Sequence, residues 1–448
     1  MSLSRRYFFY GSLLAGAVPQ AGFGATPSLK ALGYKSPSEK LNIAAIGAGG
    51  KGFTDINGCA GENIVAMADP DDSRAERSHK LHPNAPKYKD FREMLDKHKE
   101  IDAVLISCPD HMHATAAMWA MARGKHVYCQ KPLTRTHWEA EQLTAAATKY
   151  GVATQMGNQG YSNAGARECA EIIWSGEIGN VTEVHAWTDR PGRYWPQGPD
   201  VTPKAEAVPS HLDWNAWLGA MPDRPYSSAF VPRTWRAYPE YGCGAIGDMA
   251  CHIMGTPNMA LRLSLTGPTS VECIKKEGAG GATFPHQTVI RFDFPARGPM
   301  PPVKVFWYDS LKEPLQFEGV PKGELIGDKD NNGSLFIGEK GMVTTGCYGE
   351  RTRLLPDARM KDYKLPAPLL TRSPGHYRDW IRACKGGEPS CSNFSVAGPF
   401  VQWMLLGVIA MRVDGKLEWD HRAGRFTNNK EANALLKPTF RKGWQFAG

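Results

Sequence analysis

Leu41-Asn-Ile-Ala-Ala-Ile-Gly47-Ala48-Gly49-Gly50-Lys51-Gly52 is the stretch from which the fold is read. Its apolar run, Ile43 to Ile46, feeds directly into Gly47-x-Gly49-x-x-Gly52. That order suits a buried parallel strand that turns sharply into a helix. Gly47 permits the tight turn, Gly49 lets a pyrophosphate approach the backbone, and Gly52 lets helix and strand pack closely. The new helix would point free N–H groups and its positive dipole end at phosphate oxygens. A second apolar strand, Asn63 to Ala68, ends at Asp69. That is roughly 20 residues on, where a carboxylate can hold a ribose diol. The stretch therefore reads as a dinucleotide site. The alternative is a glycine-rich strand–helix turn with no ligand.

Working outward, the chain alternates strands and helical segments from Leu41 to about Gly160, the pattern of a doubly wound parallel sheet. Helices are expected over Asp72–Lys80, Phe91–Lys97 and Thr136–Tyr150, with buried strands over Ile101–Ser107 and His126–Cys129. In such sheets ligands bind beyond the carboxyl ends of the strands. The glycine loop, Cys108-Pro109, Gln130-Lys131-Pro132 and Asn158-Gln159 should therefore converge on one crevice. From Tyr161 the texture changes. A Pro- and Trp-rich irregular segment, Pro191 to Tyr241, precedes half-exposed alternating strands over Ser270–Lys275, Gln287–Phe294, Val303–Tyr308 and Ser334–Ile337. The expected division is a Rossmann domain over 41–160 and an α/β domain with an open, mainly antiparallel sheet over 161–448. An apolar helix over Gly398–Val413 falls near the end.

The N-terminus stands apart. Ser4-Arg5-Arg6-Tyr7-Phe8 and the short apolar stretch Gly11 to Val18 resemble a twin-arginine export signal over 1–24, with cleavage near Gly24 and a Pro/Ser/Lys-containing leader arm over 25–40. The alternative is a basic N-terminus of a cytosolic protein. Net charge is +8 without a Lys- or Arg-rich run, so no nucleic-acid partner is expected and a small anionic cofactor is. After residue 20 no apolar stretch approaches the length that spans a bilayer. The 10 cysteines show no CxxC pair or zinc spacing, so no metal site is expected and buried thiols are.

Two groups of residues carry chemistry. Lys131 follows a buried strand, at the end where a nicotinamide would lie. A partly desolvated lysine beside an oxidised ring can exchange a proton with a hydroxyl; the alternative is a surface lysine before a proline. Asp248 and His252, in Gly244-Ala-Ile-Gly-Asp248-Met-Ala-Cys-His252, are four apart and share a helix face. They suit proton transfer with a sugar hydroxyl, or equally a helix-capping Asp beside a core His. Aromatic residues before them can stack on a sugar ring.

With these motifs in this order, the chain resembles the glucose–fructose oxidoreductase / inositol dehydrogenase (Gfo/Idh/MocA) family from Leu41 onward. The resemblance implies NAD, with NADP the lesser choice, held by Gly47, Ala48, Gly49, Gly50, Lys51, Gly52, Asp69, Cys108, Pro109, His111, His113, Gln130, Lys131, Asn158 and Gln159. Cys108-Pro109-x-x-x-His113 stands where the family has Asn-Pro-x-x-x-His. Gln130-Lys131-Pro132 stands for Glu-Lys-Pro, keeping the lysine and losing the acid. Lys131, Asp248 and His252 become the catalytic residues, with Asp248 orienting the histidine or the sugar. Gln159, Arg190, Trp195, Trp235 and Arg236 join them as substrate contacts by likeness to an exported, sugar-directed branch, the last four being equally readable as structural loop residues, and His376 is a further candidate. The implied activity is hydride transfer from a CH–OH group of a sugar, glycoside or cyclic polyol. A redox-neutral glycoside hydrolase that keeps its NAD, and a non-catalytic sugar-binding protein, are the alternatives. A homo-oligomer, dimer or tetramer, a periplasmic location and the twin-arginine machinery as a partner complete the expectation.

Overall fold

The computed structural model describes residues 35–279 and 281–446, so the export signal and most of the leader arm lie outside the described residues. Six parallel strands form the first sheet: β1 (Asn42–Ile46), β2 (Asn63–Ala68), β3 (Lys87–Tyr88), β4 (Ala103–Ile106), β5 (His126–Cys129) and β6 (Thr154–Met156). Their order is β3-β2-β1-β4-β5-β6, so the direction of winding reverses between β1 and β4. That switch point opens the ligand crevice of a doubly wound sheet. The centre is buried on both faces, which is why β1 and β4 read as unbroken apolar runs.

The intervening helices are α1 (Lys51–Gly58), α2 (Asp72–Leu81), α3 (Phe91–Lys97), α4 (Asp110–Met121) and α5 (His137–Tyr150). Local sequence explains their ends. Asp71 and Asp90 cap α2 and α3. Thr136 and Glu139 form a capping box at the start of α5, and Gly151 closes it in the left-handed region.

The second sheet has nine strands: β7 (Val181–Trp187), β8 (Ser270–Glu277), β9 (Gln287–Phe294), β10 (Val303–Tyr308), β11 (Gly333–Gly338), β12 (Gly341–Thr345), β13 (Arg353–Leu355), β14 (Leu417–Asp420) and β15 (Arg425–Phe426). They run in the order β13-β12-β11-β7-β10-β9-β8-β14-β15. All neighbours are antiparallel except β7 and β10, so the expected sheet is present with one parallel pair. β9 alternates half-buried and buried positions along its whole length, the mark of one face on the core.

Two late helices serve the first sheet. In α6 (His376–Cys384), Trp380 and Cys384 are buried with Leu41, Ile43 and Tyr128. The long apolar α7 (Phe394–Ala410) packs against α5. It begins earlier than its sequence suggests, because Asn393 caps it and Pro399 is accommodated inside the helix. The second half of the chain therefore completes the core of the first domain. Among the described residues no helix is long and apolar enough to cross a membrane. The ten cysteines are free thiols, mostly buried.

Candidate active site

One cavity of about 600 Å³ runs from the glycine loop to Lys131, Asp248 and His252. The loop end is made of backbone. Gly47 has φ +81°, and a Cβ there would lie 2.7 Å from the main chain of Ser107 and Cys108, so the turns after β1 and β4 touch. A Cβ on Gly52 would stand 1.9 Å from the Gly47 carbonyl oxygen. The space a side chain on Gly49 would need is filled by Arg74, while the Gly49 backbone itself lines the cavity. Its smallness therefore serves the packing of α1 against α2.

Asp69 is 8% exposed and faces the loop. Its Oδ2 accepts from the Ala48 and Gly49 N–H groups at 2.8 and 3.1 Å, and Oδ1 accepts from Asp71 N–H. Burial pushes its pKa up against those bonds. It thus shapes the loop and still lines the cavity, with lone pairs left for a diol. Gly50 caps α1 with no side chain, and no acid stands in the first turn. The helix N-terminus is therefore open to an anion. This cradle fits NAD.

Lys131 and Asp248 meet at the other end. Lys131 Nζ donates to Asp248 Oδ1 at 2.7 Å and to the Asp248 carbonyl at 2.6 Å. The segment Ile246–Ala250 is π-helical, not α-helical as the four-residue spacing suggested. A π turn shifts the main-chain bonding by one residue, and the carbonyl of Asp248 is turned to the lysine. Arg190 Nη1 and Arg236 Nε each reach the same carboxylate at 3.2 Å. Burial alone would raise the Asp248 pKa, but Lys131, Arg236 and Arg190 together hold it well below the carboxylate range.

Asp248 makes no bond to His252, so of its two expected roles, orienting the histidine or the sugar, the first is not seen. It positions Lys131 instead. His252 is 4% exposed, its Nδ1 has no partner, and its ring meets Tyr348 edge-on. Burial and the nearby Lys131 push its pKa well down, so the imidazole is neutral.

Cys108, Pro109, His113, Gln130, Gln159, Trp195 and Trp235 also line the cavity. His113 clasps two turns, with Nδ1 2.7 Å from the Pro132 carbonyl and Nε2 2.9 Å from that of Cys108. Burial pushes its pKa down to about 4, so the neutral ring donates to only one of them. Gln130 explains the lost acid. Its Nε2 donates to buried Asp55 at 2.9 Å, and Asp55 also accepts from Lys51, Ser107 and Tyr377. A second carboxylate there would face the first without a donor.

Five residues expected at the site do not line the cavity: Ala48 and Gly52, buried in the loop, and three side chains turned away from it. His111 is fully buried behind the cavity, 2.9 Å from the Trp217 carbonyl and packed on Tyr241. Asn158 is sealed between Ser392 and the Cys251 carbonyl. His376 lies behind Tyr128 and Ser162, bonded to both. In each of these three the motif adjoins the site but its side chain turns into the core. Conversely, Asp110 lines the cavity at the first residue of α4 and was missed. Burial, opposed by Arg236 and Lys131, pushes its pKa up to about 7. Its place directly after Cys108-Pro109 was the available signal.

Residues 41–158 match the family described as "Oxidoreductase family, NAD-binding Rossmann fold", and residues 180–289 its "C-terminal alpha/beta domain". Inositol 2-dehydrogenase of Salmonella typhimurium is 30% identical over 131 residues, 29% of this chain and 39% of that one. The Serratia proteamaculans enzyme of that name is 30% identical over 151 residues, 32% and 44% of the two chains. The chain thus spans less than half the length of these curated relatives. Among solved structures, the WlbA dehydrogenase of Bordetella pertussis with NADH and UDP-GlcNAcA superposes with a TM-score of 0.58 at 17% identity, covering 85% of this chain and 99% of that one. The aldose-aldose oxidoreductase of Caulobacter crescentus complexed with glycerol gives 0.55 at 15% identity, covering 85% and 100%. At such identities these two structures speak to the fold alone.

Proposed function

The chain belongs to the Gfo/Idh/MocA oxidoreductase family, and we propose that it oxidises a CH–OH group of a sugar, glycoside or cyclic polyol with NAD. The observation that carries this is the single cavity joining the open N-terminus of α1 to Lys131, Asp248 and His252. NAD, when bound, supplies the hydride acceptor. Lys131 has three N–H groups and commits two to Asp248, leaving the third for the substrate hydroxyl, where it steadies developing negative charge. Neutral His252 takes the hydroxyl proton. Asp248 keeps Lys131 aimed, and Gln159, Trp195, Trp235, Arg190 and Arg236 border the substrate. The Asp69 carboxylate disfavours a 2′-phosphate and so favours NAD over NADP.

Denaturing the purified protein and weighing what it releases, then following absorbance of NADH with a panel of sugars, polyols and glycosides, tests this reading. Released NAD and NADH formation on a polyhydroxy substrate are expected. Free aglycone without NADH would move the assignment to the redox-neutral glycoside hydrolase. No nucleotide and no turnover would leave the sugar-binding protein.

Export by the twin-arginine route to the periplasm and assembly into a homo-oligomer belong to the same proposal. Ser4-Arg5-Arg6-Tyr7-Phe8 supports the first. The nine-stranded open sheet supports the second, since it offers a broad face. Sequencing the N-terminus of the periplasmic protein and light scattering of the eluted species test them.

A further inference from the structure

The substrate end of the cavity holds more positive charge than its acids balance. Lys131, Arg190 and Arg236 all bond the carboxylate of Asp248, and Arg233 lines the same wall. The side chains of Lys131, Arg190 and Arg236 are only 14%, 26% and 26% exposed, so water screens them incompletely. Of the other acids near this end, Asp110 is itself buried and Asp189 stands beside Arg190, still fewer than the cations.

The arginines are also fixed in attitude. The Arg190 guanidinium lies 3.5 Å over the Tyr194 ring, and that of Arg236 4.1 Å over Trp235. Stacking holds each plane. Each arginine gives Asp248 a single bond. Among the described residues neither Arg190 Nη2 nor Arg236 Nη2 bonds a protein acceptor, while Arg236 Nη1 donates to the Arg233 carbonyl and Arg190 Nε is sealed in the protein without a partner. One nitrogen of each guanidinium, Nη2, therefore remains without a protein partner in a partly desolvated cavity, around one carboxylate already shared three ways. A neutral sugar leaves that excess charge uncompensated, whereas a carboxylate offers one oxygen to each of the two Nη2 donors and the opposite charge.

We propose that the substrate is an acidic sugar, its carboxylate received by Nη2 of Arg190 and Nη2 of Arg236 and its reacting hydroxyl turned to Lys131 and His252. The spacing suits one monosaccharide, because the arginines and the lysine are gathered on the same Asp248 carboxylate. This rests on the oxidoreductase reading of the site and narrows its substrate class.

The test is equilibrium binding to the full-length protein with its own bound nucleotide, by calorimetry. The probes are glucuronate and galacturonate, the corresponding uronamides and neutral hexoses, gluconate, and glucose 6-phosphate. At least one acid should bind about tenfold tighter than its neutral counterpart, as a charge-assisted bond predicts. The advantage should shrink as sodium chloride is raised. Arg190→Gln, and separately Arg236→Lys, should weaken the acid more than the amide. Equal affinity of acids and neutral counterparts across the panel overturns the proposal, as does a salt-independent preference. Tighter binding of the sugar phosphate than of every carboxylate overturns it in favour of a phosphorylated sugar. A neutral sugar that binds and yields NADH while the acids are ignored sinks the acidic substrate and keeps the oxidoreductase. Failure of all of them to bind or yield NADH brings down the reading beneath both.

Discussion

The two ends of the cavity are built from different materials. At the nucleotide end the parts are main-chain: a turn at Gly47, a contact at Gly52, and the uncapped start of α1. At the substrate end the parts are side chains from separate segments: Lys131 after β5, Arg190 after β7, Arg236 in the aromatic segment, and Asp248 in a π turn. The first end tolerates almost no change in shape. The second depends on balance of charge, with one carboxylate restraining three cations. Asp55 and Gln130 lie between them, tying Lys51 of the first helix to the strand that delivers Lys131. The contrast teaches that a cofactor site can be local in the chain while the chemistry beside it is not.

Lys131→Ala is the sharpest way to separate the two ends. It should cut kcat by about 10³-fold, or about 4 kcal/mol of transition-state stabilisation, while NAD affinity, read by fluorescence titration, changes little. Equal losses in both would merge what the comparison keeps apart. Gly52→Ala should act in the opposite sense. Its Cβ meets the Gly47 carbonyl oxygen at 1.9 Å, so a loss of about 3 kcal/mol in denaturant unfolding is expected together with loss of NAD binding.

Gln130→Glu probes the join. It sets a second carboxylate beside Asp55, whose partner is now the Gln130 amide at 2.9 Å. Destabilisation of about 2 kcal/mol is expected, and adding Asp55→Asn should recover part of it. A neutral or stabilising Gln130→Glu would show that the amide is not chosen by Asp55.

Asp110→Asn should have an effect that depends on pH. Burial raises the native pKa of Asp110 to about 7, above its value in the unfolded chain. Between those values the unfolded state has released the proton and the native state keeps it, so this group lowers stability as pH rises. Relative to wild type the variant should gain at most about 1.4 kcal/mol per pH unit through that window and nothing more above it. Melting curves from about pH 5 to about pH 8 read the difference, and parallel curves would show Asp110 already ionised throughout.

Much of the first domain was readable because its signals are short-range. The run into Gly47-x-Gly49-x-x-Gly52, the strand ending at Asp69, and the Thr136 and Gly151 helix ends all act within a few residues. The strands β12 to β15 at the two ends of the second sheet were not, since strands this short show no readable period even where, as in β11–β12 and β14–β15, the partner is close in sequence. Site residues divided the same way. Lys131 was legible from the strand before it. His111, Asn158 and His376 share the motifs but point into the core, and no local pattern distinguishes a side chain facing a cavity from its neighbour facing inward.

Sequence alone determined the parallel sheet, the dinucleotide turn and the family, because backbone turns and apolar periodicity are local properties of the chain. Only the tertiary structure decided that Asp248 restrains Lys131, Arg190 and Arg236 and leaves His252 alone, and that Gln130 answers Asp55. Those are interactions of charge across long sequence separations, where the closing of the fold sets the distances.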